Sequence, residues 1–595
     1  MLDSSDSRGG RTNHQRCSFG IRVATDIPNV PDMDDPRSDI RFSASPRRMV
    51  GLLLLVLASL LIAVPSASAA TKDPVVRAIN MAQKKQAINY RTAKQLRKDW
   101  SASARAARNA RTLTRRATIR GVRTQTTSLA RRKLLTPERV EPALLSVKAT
   151  TWVMLRGSYP SHEQTVTIPG EPLVFKFYSG RGVQLQPFET LKQGMREINA
   201  KTPNVEKARE IADRLLDLHV RRGSSYIWEY YFAFGGPDRP WTSSISQALA
   251  TEFFWRVGML APEEERASYL DAAWGANESF LRSSRAGGVS TNEADGRFYV
   301  MYPFAPAQRI LNGHLQVLIN VSRYAEWSGN ERARRVVEQG LEGAYAVLPK
   351  FDTGAWSNYQ PGQEADIGYH RFQTEQLVKL GKELEDPTFV DYGDRFSLYL
   401  VTPPNLGVRG SSWRTIIPSG DGYRDTARIA FDLDKRARVT MVVRDQLMRE
   451  VLRQSIWRSR GRSVIAWNGK TNSGTIAPDG EYLVSFTVTD ILGNRSTAHL
   501  PSTLSVEADV VPPELRLVTV RARGARTLVT VDAADIGSRW IDIEVRVGGK
   551  VLARKRGRRD GSTNVLVPAR IGKVQRGSVI LRDSSGNETK QPLAG

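Results

Sequence analysis

The chain has 595 residues, a formal net charge of +26 and 40% hydrophobic residues. That length allows several domains that each bury a core. Its one cysteine, Cys17, precedes a predicted cleavage site, so the mature chain would have no disulfide, thiol nucleophile or thiolate metal site. Six histidines without an HExxH motif or paired spacing also argue against a zinc centre.

The amino-terminal region has the pattern of an export signal. Residues 1–48 are polar, charged and proline-containing, and we expect a disordered leader. An arginine pair, an apolar run and small residues follow, which predicts a signal peptide over 49–69 that is cleaved before Ala70. The protein would then be secreted or cell-surface associated, without a stable membrane span; the alternative is an uncleaved anchor. Because signals begin near the amino terminus, Met33 is a better candidate start than Met1.

The segment 70–146 is strongly basic. Between residues 71 and 146, nineteen Lys and Arg stand against four Asp and Glu, a net charge of about +15. The composition predicts helices, with a hairpin break near Gly121. Such a charge would attract anionic glycans or the cell envelope, and export would remove nucleic acid as a partner. The alternative is a solvated basic face or a disordered stalk.

The segment 147–390 is predicted to contain a small β region followed by helices. Short β-branched and aromatic runs predict strands at 151–157, 165–170 and 173–185. Helical periodicity begins at Phe188, and from Trp241 it predicts helices over 244–257, 263–282, 308–328, 331–348 and 369–383. Consecutive helices with short connections favour an incomplete (α/α) toroid. The aromatic run 226–234 could pack in a wall or form a sugar platform.

Seven short motifs in this segment, in a fixed order, carry a resemblance to a known family. They are PWTSSISQAL at 240–249, YLDAA at 269–273, GGV at 287–289, Tyr302-Pro303, Leu311-Asn312-Gly313, LPKFDTGAWSNY at 348–359 and Tyr369-His370. Together they resemble the C-terminal domain of the D-glucuronyl C5-epimerases over roughly a third of the chain.

The resemblance implies a reaction and a set of site residues. A uronic-acid polysaccharide would lose its C5 proton and be reprotonated on the opposite face, converting D-glucuronyl to L-iduronyl units without a metal or organic cofactor. Tyr302, Tyr359 and Tyr369 occupy the family's tyrosine positions and are the expected catalytic residues. The expected substrate contacts are Trp241, Gln247, Arg309, Asn312, His370 and Arg371, of which Arg309 or Arg371 could neutralise the sugar carboxylate.

Three positions depart from the family pattern. Met301 replaces a glutamate, Gly362 replaces an arginine, and Gln373 replaces the second histidine of the motif that starts at Tyr369. A thioether cannot transfer a proton, so a substitute base would be needed on one face of the sugar. The candidates are Glu293, Glu364 and His370. The alternatives to an epimerase are a polysaccharide lyase and a non-catalytic cell-wall or acidic-glycan-binding protein.

Beyond residue 391, period-two strands and turns predict two Ig-like β-sandwich modules, over 391–506 and 507–595. The first resembles the Ig-like domain of flagellar hook-capping proteins through Trp467-Asn468-Gly469 and the turns that follow. An internal repeat ends both modules, as Asp490-x-x-Gly493-Asn494 and Asp583-x-x-Gly586-Asn587. We expect spacers or glycan-binding accessories rather than catalytic parts.

Overall fold

The computed structural model describes residues 73–294 and 296–593, which divide into two compact units. The first unit runs to Phe351 and includes Asn358–Gly393; the second comprises Asp352–Ser357 and continues from Asp394. A helical region therefore precedes a region of many strands, as the sequence predicts. The predicted leader and signal peptide lie outside the described residues. Within those residues, no helix is both long and apolar enough to cross a bilayer.

The basic segment is a packed group of helices. Its helices are α1 Pro74–Lys84, α2 Tyr90–Asn109, α3 Leu113–Arg131 and α4 Val140–Arg156. Asp73 caps α1 by accepting from the Val75 and Val76 N–H groups, and it also accepts from the Trp100 indole at 2.9 Å. Val75, Val122 and Leu144 belong to one buried cluster. A disordered stalk is therefore excluded.

Gly121 lies inside α3 rather than at a hairpin break, so that prediction is wrong. A Cβ at residue 121 would stand 3.1 Å from the Gly180 carbonyl oxygen. Glycine at this position therefore allows α3 to approach the chain closely at Gly180. The chain reverses direction instead before Thr112, whose hydroxyl accepts from the Arg115 N–H and caps α3.

A three-stranded antiparallel sheet follows, with β1 Thr165–Ile168, β2 Glu171–Tyr178 and β3 Gly182–Leu185 in that order. The strand predicted at 151–157 is wrong because those residues end α4. The prediction followed the β-branched composition of these residues. The helix could not be recognised because α4 is buried on nearly every side and has no polar stripe. Thr150 and Ser146 on α4 accept from the Val183 and Leu185 N–H groups, at 2.9 and 3.1 Å, and so cover the edge of β3.

The rest of the first unit is mostly helical. Its helices are α5 Pro187–Asn199, α6 Val205–Leu218, α7 Ser244–Leu260, α8 Glu263–Asn277, α9 Leu311–Ser328, α10 Glu331–Phe351, α11 Ile367–Leu384 and α12 Pro387–Tyr399, the last of which continues into the second unit. Three short hairpins lie between them: β4 Val220–Arg222 with β5 Ser225–Ile227, β6 Ser290–Glu293 with β7 Gly296–Tyr299, and β8 Asn358–Gln360 with β9 Gln363–Glu364.

A buried carboxylate connects the basic segment to this helical part. The Glu229 side chain is 0% exposed, and its two oxygens accept from Arg139 Nε and Nη2, each at 2.7 Å. Arg222 donates to the same carboxylate. A fully buried charge is tolerated only when it is paired in this way, so Arg139 is part of the core of the first unit.

The second unit contains the remaining strands. They are β10 Leu406–Ser411, β11 Thr415–Ile416, β12 Ala427–Leu433, β13 Ala437–Arg444, β14 Glu450–Arg458, β15 Gly461–Trp467, β16 Gly480–Asp490, β17 Arg495–His499, β18 Leu504–Val506, β19 Glu514–Arg523, β20 Arg526–Ala534, β21 Trp540–Val547, β22 Lys550–Arg558, β23 Asp560–Val567, β24 Ser578–Arg582 and β25 Glu588–Pro592, with the short helix α13 Ile571–Val574 before β24.

Sheets β10-β12-β15 and β11-β18-β16-β13-β14, with β17 beside β16, bury one common core that contains Phe431, Trp467 and Phe486. Sheets β19-β20-β23 and β22-β21-β24-β25 bury another, around Val531 and Ile543. The strands thus form two successive β modules with separate cores. Their exact domain boundaries stay predictions.

The internal repeat has the same structural role in both modules. Asn494 Nδ2 donates to the Leu400 carbonyl at 2.8 Å, and Asn587 Nδ2 donates to the Asp509 carbonyl at 2.9 Å. Two residues further on, Ser496 and Thr589 donate to the carbonyls of Pro404 and Pro513 respectively. Each repeat therefore ties the terminal hairpin of a module to the segment that enters it.

Candidate functional site

A cleft in the first unit is bounded by β2, the start of α5, the chain before α7 and the chain after β7. Its empty space, counted with its open mouth, is about 440 Å³. The side chains that line it are Lys176, Tyr178, Gln186, Phe188, Glu189, Tyr230, Phe232, Phe234, Trp241, Ser243, Met301 and Tyr302. Trp241 and Tyr302 are the members of this lining that the sequence predicts as site residues.

The aromatic wall of the cleft is held rigidly. Trp241 stacks on Tyr230 with ring centroids 4.2 Å apart, and its indole donates to the Phe232 carbonyl at 2.8 Å. The Tyr302 ring lies 5.9 Å from Trp241 and 5.8 Å from Phe234. The aromatic run 226–234 thus packs in a wall, and part of that wall lines an open cleft. Aromatic faces of this kind suit the apolar faces of sugar rings.

Lys176 brings a cation to this cleft. Its side chain is only 6% exposed, and its ammonium lies 3.8 Å from Glu189, which also pairs with Lys192 at 3.4 Å. The sequence did not single out Lys176, because the β-branched and aromatic run LVFKFY is typical of an ordinary strand and one lysine within it carries no sign of a site. Its importance appears only when β2 is placed against the aromatic wall.

Two buried polar groups in the lining have no hydrogen-bond partner among the described residues. They are Gln186 Nε2 and Ser243 Oγ, on residues that are 6% and 3% exposed. Buried polar atoms are normally satisfied, so groups that are not are candidates for a ligand contact. Neither was predicted from sequence.

Tyr359 and Tyr369 form a second group of predicted site residues. Their ring centroids are 4.5 Å apart, with Tyr359 on β8 and Tyr369 in the first turn of α11. Asp366 caps α11 by accepting from the Tyr369 N–H at 2.9 Å, which fixes where the ring leaves the helix. The structure brings this pair together, as the sequence predicts; the catalytic role of either ring stays a prediction.

The start of α9 lies against Met301 of the cleft lining and is bonded to α11, the helix that carries Tyr369. A Cβ at Gly313 would stand 2.8 Å from Met301 Cε, while the Asn312 carbonyl accepts from Gln376 of α11 at 3.0 Å. Asn312 is 2% exposed, and its Oδ1 has no partner within the described chain. Asn312 therefore remains a candidate substrate contact, and Gly313 leaves room for the methionine that stands where the family has glutamate.

The two arginines predicted to neutralise a sugar carboxylate are placed differently. Arg309 forms an ion pair with Glu293 and donates to Thr291 Oγ1 at 2.9 Å, so one candidate cation and one candidate base are paired with each other. Arg371 is exposed on α11. Lys176 is the cation that lines the cleft.

Two other predicted contacts are fully buried. Gln247 is 0% exposed; its Nε2 donates to the Tyr226 carbonyl at 2.7 Å and its Oε1 accepts from the Trp228 N–H at 3.2 Å. It thus holds the chain that carries the aromatic wall. His370 is likewise 0% exposed, as is Gln373, which donates to the Asn358 carbonyl at 3.2 Å and so supports β8.

His314 supports the strand that leads to Met301. Its Nδ1 accepts from the Tyr299 N–H at 3.0 Å, and its Nε2 lies 2.9 Å from the Gly340 carbonyl. These partners require a neutral ring with the proton on Nε2. Burial lowers the pKa of His314 to about 4, which keeps the ring neutral at physiological pH.

No metal site emerges from the side chains that the structure describes: no three His, Cys, Asp or Glu among them are grouped to hold an ion. The arrangement available for chemistry is thus an aromatic cleft with one cation, nearby tyrosines and unpaired amide and hydroxyl groups.

Family comparison matches both the helical unit with the aromatic cleft and the first of the β modules that follow it. Residues 222–397 match the family model for the D-glucuronyl C5-epimerase C-terminus, and residues 419–490 match that for the FlgD Ig-like domain. The two resemblances inferred from the motifs are confirmed over these regions. Lys176, Gln186 and Glu189 precede the matched residues.

More distant similarities add little. An uncharacterized protein of Methanocaldococcus jannaschii is 20% identical over 172 residues, which are 28% of this chain and 55% of that protein. Latent PorU of Porphyromonas gingivalis (12% identical, 32% of this chain, 20% of that one) has a TM-score of 0.13. Beta-glucuronidase 3 of Bacteroides uniformis (15% identical, 40% and 27%) has the same score. Scores this low support no argument about fold.

Proposed function

We propose that this protein is a secreted C5-epimerase that acts on D-glucuronyl units of an anionic polysaccharide. The observation that carries the proposal is the cleft, where a nearly buried lysine and an aromatic wall surround Tyr302 of an epimerase-like region. We further propose that the helices form an incomplete (α/α) toroid and that both β modules are Ig-like sandwiches.

The chemistry needs a carboxylate neutraliser and two proton-transfer groups. Removing the C5 proton places negative charge on the sugar carboxylate, which the Lys176 ammonium would stabilise inside the cleft. Tyr359 or Tyr369 would transfer the proton on one face of the sugar ring, another acid or base would act on the opposite face, and Tyr302 with Trp241 would hold the ring. Gln186, Ser243 and Asn312 would donate to or accept from its hydroxyl groups.

A specific observation also favours a non-catalytic glycan-binding protein. Met301 lines the cleft and is 2% exposed, so an apolar side chain occupies the position of the family glutamate. If the absence of this glutamate abolishes catalysis, Met301→Glu should create C5 exchange where the natural protein has none.

The experiment that separates these functions uses purified protein with glucuronic-acid polymers in deuterated water. NMR would report deuterium at C5 and, separately, chain cleavage. Exchange without cleavage supports the epimerase, and cleavage with an unsaturated product identifies a lyase. Binding without either reaction, across several uronic-acid polymers, would reject catalysis and favour the glycan-binding function.

A further inference from the structure

A second concave surface, rich in arginine, runs along α3 and shares no lining residue with the cleft. We call it the arginine groove; its lining residues are Arg120, Arg123, Thr124, Thr127, Ser128, Arg131 and Arg132. Its empty space, including the open side, is about 940 Å³. All these residues lie on α3 or, for Arg132, at its C-cap.

The charge of the groove is almost entirely positive. The sequence from 113 to 133 contains no Asp or Glu. Arg123 is already engaged, since its guanidinium lies 3.6 Å from the Trp100 ring centroid and donates to the Trp100 carbonyl at 2.7 Å. Arg120 and Arg131 are exposed, and they are separated by about 16 Å along the helix axis.

One chain segment connects the groove to the cleft. Asp238 accepts from Ser128 at 3.2 Å through its carboxylate and from Arg132 through its carbonyl, at the end of the groove. A few residues earlier the same segment supplies Phe232 and Phe234 to the cleft lining. The two concave surfaces therefore share a boundary in the segment 232–238.

We propose that the arginine groove is a distal subsite that binds an anionic polysaccharide beyond the sugar held in the cleft. The choice of polymer rests on the proposed function of the cleft. Guanidinium groups bind carboxylates through paired hydrogen bonds. The hydroxyls of Thr124 and Thr127, which lie between the arginines along α3, can form hydrogen bonds to sugar hydroxyls.

The lining disfavours other polyanions. It contains no aromatic side chain on which the bases of a single-stranded nucleic acid could stack. Ile119, Val122 and Leu129 of α3 are buried in the protein, and Leu113, its exposed large apolar residue, is not in the groove lining, so the groove offers nothing that could enter a bilayer surface. An acidic sugar chain offers carboxylates and hydroxyl groups that this lining can bind without base stacking or bilayer insertion.

The test compares two double variants of the full chain. Arg120→Gln with Arg131→Gln removes two of the three exposed arginines of the groove and leaves Arg132, which donates to Asp238. Arg91→Gln with Lys94→Gln removes the same charge from exposed positions on α2. Affinity for long heparosan, an unsulfated glucuronic-acid polymer, and for a heparosan tetrasaccharide would be measured by calorimetry over a range of salt concentrations. Circular dichroism would check folding.

We expect the groove variant to bind the polymer about tenfold more weakly, with a shallower salt dependence, because two surface ion pairs are lost. The affinity of the groove variant for the tetrasaccharide, and the affinity of the α2 variant for the polymer, should each change less than about twofold. Arg120→Lys with Arg131→Lys should lie between, since it keeps the charge and loses the paired hydrogen bonds.

Equal losses in the groove and α2 variants would overturn the subsite, whether or not the protein exchanges C5 hydrogens. Single-stranded DNA or phosphatidylserine vesicles bound more tightly than heparosan, through the same arginines, would also overturn it. A selective loss of polymer binding in a protein without C5 exchange would support the groove and reject the proposed reaction.

Discussion

The cleft and the β modules use their polar side chains in opposite ways. In the modules, Asn494 and Asn587 bind carbonyls of their own unit and close a structural repeat. In the cleft, Gln186 Nε2 and Ser243 Oγ are buried without a partner in the described chain, and Lys176 lines the same space. A buried unsatisfied polar group costs about 1–3 kcal/mol, so such groups are expected where a ligand completes them. The comparison separates polar groups that maintain the fold from polar groups that we propose bind substrate.

The largest expected effect comes from changing the tyrosine pair, Tyr359 and Tyr369. Tyr359→Phe and Tyr369→Phe should each lower C5 deuterium exchange by about 10²–10⁴-fold, the usual contribution of a positioned acid or base. Each change keeps the ring contact and removes only the hydroxyl, so the melting temperature should stay within a few degrees. Full exchange in the double variant, measured by NMR, would remove the pair from the mechanism.

Acidification should lower the stability of the helices around His314 and should not lower the stability of the β modules. Burial lowers the pKa of His314 to about 4, so its contribution to stability is present above pH 6.5 and is lost toward pH 4. That contribution is about 3 kcal/mol. Burial raises the pKa values of Asp509 and Asp535 in the β modules, so their contribution is present below their ordinary pKa and is lost as pH rises through the raised values.

Hydrogen exchange with mass spectrometry, corrected for the intrinsic effect of pH, can follow each region in the full chain. Between pH 7 and 5, peptides of α9 and α10 should lose protection while those of β20 and β21 should not. His314→Gln should abolish the difference in α9. Equal loss of protection in both regions would contradict the assignment to His314.

Lys176→Met should lower the exchange rate at limiting substrate by about 10–100-fold, because a hydrogen bond to a charged group is worth about 1.5–3 kcal/mol. Lys192→Met is the matched control, since Lys192 pairs with the same Glu189 but is absent from the cleft lining. Initial rates on a short oligosaccharide would measure both variants. Equal rates would show that Lys176 serves only to pair with Glu189.

The smallest effects should come from the repeat. Asn494→Ala and Asn587→Ala should each destabilise their own β module by about 1 kcal/mol, since each removes hydrogen bonds to a carbonyl and an Asp side chain. Local hydrogen exchange in β16 or β24 would detect this, while C5 exchange should be unchanged. Reduced C5 exchange would mean that the modules contribute to the reaction.

Helix positions were largely predictable because each stretch of periodic apolar residues begins and ends close to the ends of a helix. The helix expected at 308–328 is α9 Leu311–Ser328, and that at 331–348 is α10 Glu331–Phe351. The prediction failed at 151–157, where complete burial of α4 removes the polar stripe by which a helix is recognised.

Some residues named from the sequence lie in or near concave or aromatic clusters, while their roles stay predictions. Tyrosines beside turns and Trp241 could be identified from the sequence, and Tyr359 and Tyr369 do lie together. Lys176 could not, because a lysine in a strand carries no sign of what its strand packs against. The Arg309–Glu293 pair was also hidden, since β7 and a loop separate the two residues in sequence.

The Arg139–Glu229 ion pair sets a lower limit on the piece of this protein that can fold by itself. The region recognised by family comparison begins at residue 222, whereas Arg139 and the lysine of the cleft come before it. A gene fragment trimmed to the recognised region would lose Arg139, keep Arg222 as a partner of Glu229, and lack one wall of the cleft. Transplanting the epimerase-like region into another protein would therefore require the basic helices to be included.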